Sequence, residues 1–466
     1  MKRTLKLALV LALTVVLFAV AVAPVGAQSP PLSYLVVANG SSLPNNIAQR
    51  IANAGGTLQY TIPEVGIAVA TSSNPSFKTS VNGATVLPNL RLNWINDWVG
   101  EEVSVETPPS PPFTGDDDFF FDLQWGHTAI GATTAWAAGL RGAGVRVAVL
   151  DTGFDMDHPD LAPNINYALS TSFVPGEGVG YALPGPFSHG THTAGTIAAA
   201  DNAFGTIGVA PEAELLLVKV LTDAGSGEFD WVIQGIVYAA NNDADIISMS
   251  LGDYLYRSGG CDDFGNCYTA REAQELLNAL SRATNYAFQM GTTVIASAGN
   301  AGIDGDHDKN LLHIPSDSSH VISISATAPI GWATDPANIF LDNLASYSNY
   351  GQSVIEFGAP GGDFIYPGNE ACTIAGLTRP CWVFDLVFST GSNLNPAIAS
   401  YYWSAGTSMA APHAAGVAAL IIGANGGDMH PAQVEAAMAR AADDLGKPGN
   451  DDFYGAGRVS AANLVQ

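Results

Sequence analysis

Ser408 stands in Gly406-Thr407-Ser408-Met409-Ala410-Ala411-Pro412, at the head of an apolar run that ends at Leu420. Small residues at Gly406, Ala410 and Ala411 let another backbone approach, Pro412 suits a first helical turn, and a helix start offers unpaired N–H groups to a developing negative charge. A serine so placed could attack a carbonyl, but its hydroxyl is a weak nucleophile and needs a base, and the base needs a group to orient it. Asp151 ends the β-branched run Val145–Leu150 and is followed by Thr152-Gly153. A buried strand would therefore deliver a carboxylate at its C-terminal end, where open α/β sheets carry their sites. His189, in Ser188-His189-Gly190-Thr191-His192, opens a second small-residue helix and is the base candidate. His192 reads as a structural helix residue, because one base suffices. His158 reads as a turn residue and Met409 as packing.

Residues so far apart in the chain converge only if regular elements carry them. From residue 121 onward, apolar runs at Val145–Leu150, Leu215–Val220, Ile246–Leu251, Thr293–Ala296 and Val321–Ala326 read as strands, with helices at Phe229–Ala240 and Glu272–Phe288 among them. Such alternation implies right-handed crossovers and a parallel sheet covered on both faces. Some 345 residues, about what lies beyond position 121, suffice for a large core.

The segments Asp151-Thr152-Gly153, His189-Gly190-Thr191-His192 and Gly406-Thr407-Ser408-Met409-Ala410-Ala411-Pro412, in that order, resemble the subtilisin-like serine protease family. Ala298-Gly299-Asn300 is a fourth match, and the likeness runs from roughly Gln124 to the C-terminus. It implies a subtilisin-like doubly wound parallel sheet with helices on both faces, and a serine endopeptidase using Asp151, His189 and Ser408, with Asn300 as side-chain oxyanion donor. It also implies a substrate-flanking strand at Ser250, Leu251 and Gly252, and a first specificity pocket near Ala298, Gly299 and the stretch before Ile314-Pro315. Absence of an obvious charge there predicts a broad preference for large apolar residues. Calcium is the implied structural ion, held by side chains of Asp160 and Asn202 and backbone carbonyls of Ala200, Phe204 and Thr206, with Asp122 as substitute for an unmatched N-terminal ligand. Asp304, Asp306 and Asp308 lack the glycine and distal glutamate of an EF-hand loop and read as solvated. Two stretches, 254–268 and 364–402, look inserted relative to compact relatives; they could narrow or extend the cleft, and the favoured reading is stapled surface loops.

Residues 1–27 combine a basic start, an apolar core from Leu7 to Ala23 and a small-residue end at Ala27, which predicts a signal peptide and a secreted, extracellular protein. Removing them takes away three basic residues, leaving 43 acidic against 14 basic and a net charge of −29. Such acidity argues against nucleic acid or an anionic membrane as partner. Four cysteines in an exported chain predict disulfides; Cys261 with Cys267 and Cys372 with Cys381 is the sequence-local pairing among three formal connectivities. Residues 28–100 read as a compact α/β (ferredoxin-like) unit, similar in size and position to the family's inhibitory and chaperoning propeptide, so the expected partners are protein or peptide substrates and the chain's own propeptide. Residues 101–120 read as a Pro-rich acidic linker open to processing, and 121–466 as the catalytic domain, expected to be monomeric. Two other readings remain: a catalytically silent peptide binder, and a nucleotide-binding oxidoreductase, against which stands the absence of a Gly-x-Gly-x-x-Gly turn after the first strand.

Overall fold

The computed structural model describes residues 31–95, 98–105 and 115–465. The expected signal peptide and the proline-rich part of the linker lie outside these residues. In the N-terminal unit, β1 (Leu32–Ala38), β2 (Gly56–Ile62), β3 (Ile67–Ser72) and β4 (Ala84–Pro88) form an antiparallel sheet in the order β2-β3-β1-β4, with helices α1 (Ile47–Asn53) and α2 (Phe77–Ser80). One face buries Tyr34, Val36, Ile51 and Phe77 in a small core of its own. The other face, with Leu35, Val37, Ile67 and Val69, belongs to the same apolar cluster as the large domain beneath it. Two further strands, β5 (Arg91–Asn93) and β6 (Trp98–Val105), leave this sheet and pair with the large domain instead. The sequence reading placed Glu101–Val105 in a linker; the valines at 99, 103 and 105 alternate as a strand requires, but Glu101 interrupts them and prolines follow closely.

The large domain begins with α3 (Trp125–Ile130), α4 (Ala132–Ala137), β7 (Arg146–Asp151), β8 (Thr171–Ser172), α5 (His189–Ala198), β9 (Glu214–Lys219), β10 (Ser226–Glu228) and α6 (Phe229–Asn241). After these come β11 (Ile246–Met249), β12 (Asp253–Tyr256), β13 (Gly259–Cys261), β14 (Cys267–Thr269), α7 (Ala270–Met290), β15 (Thr293–Ser297), β16 (Leu311–Ile314), β17 (Val321–Ala328), β18 (Asn343–Leu344) and β19 (Phe357–Pro360). The chain closes with β20 (Ala371–Ile374), β21 (Leu377–Pro380), β22 (Val387–Thr390), β23 (Ala399–Ala405), α8 (Thr407–Ala424) and α9 (Pro431–Ala441). Its main sheet runs β18-β17-β15-β11-β7-β9-β8, with β19 also on β17, and the central pairs β15–β17, β11–β15, β7–β11 and β7–β9 are parallel. Every one of the five expected strands and both expected helices is present.

Parallel strands sandwiched between helices have no solvent face, which is why Val147 to Leu150 read as an unbroken apolar run: all four are at most 1% exposed. Helix α8 is apolar all round for the same reason, with sixteen of its eighteen residues buried. The second inserted stretch is more than a surface loop. Its β22 pairs with β23, β23 pairs with β6, and Phe384, Phe388 and Trp403 pack with Phe120 and Trp125 in a core of their own. Cysteines pair as Cys261–Cys267 and Cys372–Cys381, the sequence-local pattern.

Candidate active site

Strand β7 ends at Asp151, α5 starts at His189, and α8 carries Ser408 in its first turn. Asp151 Oδ1 meets His189 Nδ1 at 2.7 Å and accepts the Thr152 amide at 2.6 Å, while its Oδ2 accepts the Thr193 hydroxyl at 3.1 Å. A carboxylate with both oxygens engaged cannot swing, so the ring it holds is oriented through Nδ1, leaving Nε2 for another partner. Ser188 caps α5 by accepting the Thr191 amide, which fixes where the helix, and hence His189, begins. Asp151 is 0%, Ser408 4% and His189 8% exposed, so the three are nearly shut off from solvent. His192, one helical turn on, points its Nε2 at the carbonyls of Val387 and Tyr402, and burial first, then the neighbouring His189, push it down to about 3. That is the structural role read for it. His158 is no open turn residue: it is buried, with Nε2 3.1 Å from the Ser400 carbonyl.

A cavity of about 300 Å³ is lined by Ser408, Thr407, Asn300, Ala301, Gly299, Ser297, Gly252, Tyr254, His313 and, from the N-terminal unit, Trp94. Asn300 accepts the Thr407 amide at 2.8 Å and the Thr407 hydroxyl at 2.7 Å through Oδ1, which fixes the orientation of its side-chain amide beside the serine. Gly299 sits at φ +101°, and a side chain there would strike the Tyr254 hydroxyl and the Asn349 amide. Of the predicted substrate residues, Gly252 and Gly299 line this cavity, whereas Ala298 lines a neighbouring one of about 410 Å³. Ser250 donates to the Ser408 carbonyl at 2.7 Å, bracing the first turn of α8 at the serine itself, and Leu251 is buried in the core.

Several residues here carry no signature in the sequence. Asn349 donates Nδ2 to the Ala298 carbonyl (2.7 Å) and the Tyr254 hydroxyl (2.9 Å), and Oδ1 accepts the amides of Ala301 (3.2 Å) and Ile303 (3.0 Å). It thereby pins the loop that bears Asn300. His313 occupies the cavity wall between the two voids, and burial pushes it down to about 3, so it is neutral under working conditions. The only hint was its place just before Ile314-Pro315.

On the far side of α5, Asp160 is fully buried and accepts the Thr206 amide (2.8 Å) and the Tyr401 hydroxyl (3.0 Å) through Oδ2, while Oδ1 has no partner. Asp118 lies against the same loop: its Oδ1 accepts the amides of Asn202 (3.3 Å) and Phe204 (3.1 Å), and its buried Oδ2 is also unpartnered. Burial, followed by Asp116 beside it, pushes Asp118 up to about 9. Carboxylate oxygens of Asp116, Asp117, Asp118 and Asp201 lie within 4.8 Å of one another, a group that could hold a metal ion. Buried anionic oxygens without hydrogen-bond donors fit a hard cation.

Comparison with known proteins gives the family and the fold. A sequence model described as the subtilase family matches residues 142–457. Thermitase of Thermoactinomyces vulgaris is 32% identical over 76% of this chain and 100% of its own length, and Subtilisin Savinase of Lederbergia lenta is 34% identical over 73% of this chain and 97% of its own. The solved epidermin leader peptide processing serine protease of Staphylococcus aureus superposes with a TM-score of 0.71 at 21% identity, covering 94% of this chain and 98% of that one, a likeness of fold. Fervidolysin of Fervidobacterium pennivorans gives 0.67 at 22% identity over 95% of this chain and 62% of that one. The chain belongs to the subtilase family and is a serine-type endopeptidase.

Proposed function

We propose that this protein is a secreted endopeptidase made as a zymogen, in which Ser408 attacks the scissile carbonyl, His189 takes the serine proton through Nε2 and returns it to the leaving amine, and Asp151 holds the imidazole in that tautomer. The Asn300 side chain and the Ser408 backbone N–H receive the tetrahedral oxyanion. The observation that carries this reading is the 2.7 Å bond joining a strand-end carboxylate to a helix-start imidazole, with both carboxylate oxygens committed. Ser408 and Asn300 share the adjoining cavity.

The N-terminal unit behaves as an inhibitor in this reading because its own chain lies in the cleft. Asn93, Leu92 and Arg91 pair antiparallel with Ser226, Gly227 and Glu228, the Trp94 carbonyl accepts the Gly252 amide at 2.9 Å, and the Trp94 indole donates to the Gly227 carbonyl at 3.0 Å. Beyond the serine, β6 pairs antiparallel with β23, the strand that leads into Ser408, with Trp98 opposite Ala405. A peptide substrate adds to the enzyme by the same backbone pairing. The first cut therefore falls between Ile95 and Trp98, ahead of the proline-rich linker. The unit is fastened by Asn89, whose amide donates to Glu228 (2.7 Å) and Asp230 (2.8 Å), by Lys78 with Glu272 (2.7 Å), and by Arg282 on the Ala38 carbonyl (2.8 Å).

Calcium is the ion proposed for the loop at Ala200 to Thr206, with Asp160, Asn202 and Asp118 as side-chain ligands and carbonyls of Ala200, Phe204 and Thr206 completing the set. When bound it neutralises buried carboxylates and ties the loop down. The test of the whole reading compares the full chain with Ser408→Ala. Wild type should digest casein, label with a fluorophosphonate and show a new N-terminus between Asn96 and Trp98; Ser408→Ala should do none of these. Casein digestion that survives Ser408→Ala would refute it.

A further inference from the structure

The loop closed by Cys261–Cys267 lies against the strand that fills the cleft, opposite β10. Asp262 Oδ2 accepts the Arg91 amide at 2.9 Å, Asp263 Oδ2 accepts the Asn93 side-chain amide at 2.7 Å, and the Arg91 guanidinium stacks over the Phe264 ring at 4.9 Å. Arg91 Nη2 also donates to the Ser226 hydroxyl at 3.2 Å, so the residue is gripped from both sides of the cleft. This grip is built into the loop. Asp262 Oδ1 accepts the amides of Phe264 (3.0 Å) and Asn266 (2.8 Å), the Asp262 amide donates to the Asn266 carbonyl at 3.0 Å, and the buried Tyr268 accepts the Tyr256 amide at 3.0 Å. A void of about 260 Å³ between loop and strand is lined by Asp253, Asp262 and Asp263.

We propose that this stapled loop is a substrate-recognition element: Asp262, Asp263 and Phe264 select a cationic side chain at the substrate position that Arg91 now occupies, about five to seven residues before the scissile bond. The inference rests on the reading that Arg91 to Trp94 lie where a substrate would. A guanidinium suits the place because it stacks on the Phe264 ring, donates to the Ser226 hydroxyl and sits in an acidic surrounding of Asp262, Asp263 and Glu228, where it acts at longer range than a close ion pair. A glutamate there would meet like charge from Asp262, Asp263 and Glu228.

The experiment uses enzyme matured from the full chain and a series of long fluorogenic peptides identical except for Arg, Gln or Glu at that position. kcat/KM should favour Arg over Glu by about tenfold at low salt, from one stacking contact together with longer-range attraction to the surrounding carboxylates in place of repulsion. That ratio should shrink as salt is raised and fall to within about twofold in D262N/D263N. Asp263→Asn alone, which leaves the Asp262 bonds within the loop intact, should lower it part of the way. Serine-dependent hydrolysis with an Arg-to-Glu ratio near one in wild type, or a ratio unchanged in D262N/D263N, overturns the recognition role and leaves the peptidase reading standing. No Ser408-dependent hydrolysis of any peptide overturns both.

Discussion

Asn349 offers a measure of how far the oxyanion donor depends on residues that never touch substrate. It is 6% exposed and its side chain makes four hydrogen bonds, to Ala298, Tyr254, Ala301 and Ile303, all on or against the loop that carries Asn300. Asn349→Ala removes those four bonds. A net worth of about 0.5–1.5 kcal/mol per bond sets an upper range near 2–6 kcal/mol, and water entering the vacated volume brings the expected loss of stability to about 2–3 kcal/mol. The functional effect should exceed what unfolding explains. Asn300 sits on that loop, so a loop displaced by about 1 Å would misplace the donor and lower kcat by about ten- to a hundredfold with little change in KM. Removing such a donor outright costs about a hundred- to a thousandfold, a magnitude measured in subtilisin, so Asn300→Ala bounds the effect from above. Urea unfolding together with kcat and KM on a short peptide provides the comparison. Stability lowered as expected with kcat within twofold of wild type would refute the argument that Asn349 sets the donor's position.

Three further outcomes follow from the geometry. His313→Gly removes the imidazole between the voids of about 300 and 410 Å³, so cleavage should shift toward larger residues before the scissile bond; an unchanged preference in a peptide library would exclude His313 from the pocket wall. Calcium about a hundredfold above its Kd adds ~2.7 kcal/mol, so a chelator should lower the unfolding temperature by several degrees, and much less so in Asp160→Asn; coincident melting curves would refute the site. Glu228, at the seam with the N-terminal unit, is pushed up to about 7 by burial and by Asp230, against the pull of Arg91. A raised carboxyl makes the seam strongest below about 4.5, its ordinary value, with that contribution lost as pH rises through about 7. Once cut, the N-terminal unit should co-elute with the enzyme on gel filtration at pH 5 and separate more readily at pH 8.5, and equal retention at both would count against it.

What the chain disclosed and what it hid divide along a physical line. Asp151, His189 and Ser408 sit at a strand end or a helix start, where local sequence shows both the element and its terminus, so their placement could be read from residues within ten positions. The parallel strands were equally legible, because burial on both faces leaves an unbroken apolar run. Asn349, His313, Asp118 and Asp262 have no such local mark. Each is a polar residue, His313 on the short strand β16 and the others in loops, whose meaning comes from distant parts of the chain: Asn349 bonds to Ala298 at a separation of 51 residues and Asp262 to Arg91 at 171. The acidic excess shows the same limit most sharply. Of 43 acidic residues, nearly all could be ascribed to a solvated surface, yet Asp118, Asp160 and Asp230 are withdrawn from water almost completely. A buried carboxylate requires a donor, a proton or a cation. Asp230 has the first in Asn89 and Tyr60; Asp118 and Asp160 each keep one oxygen without any donor. Composition records only their sum, whereas the fold separates charges that keep the protein soluble from those that must be neutralised, and these last do chemistry.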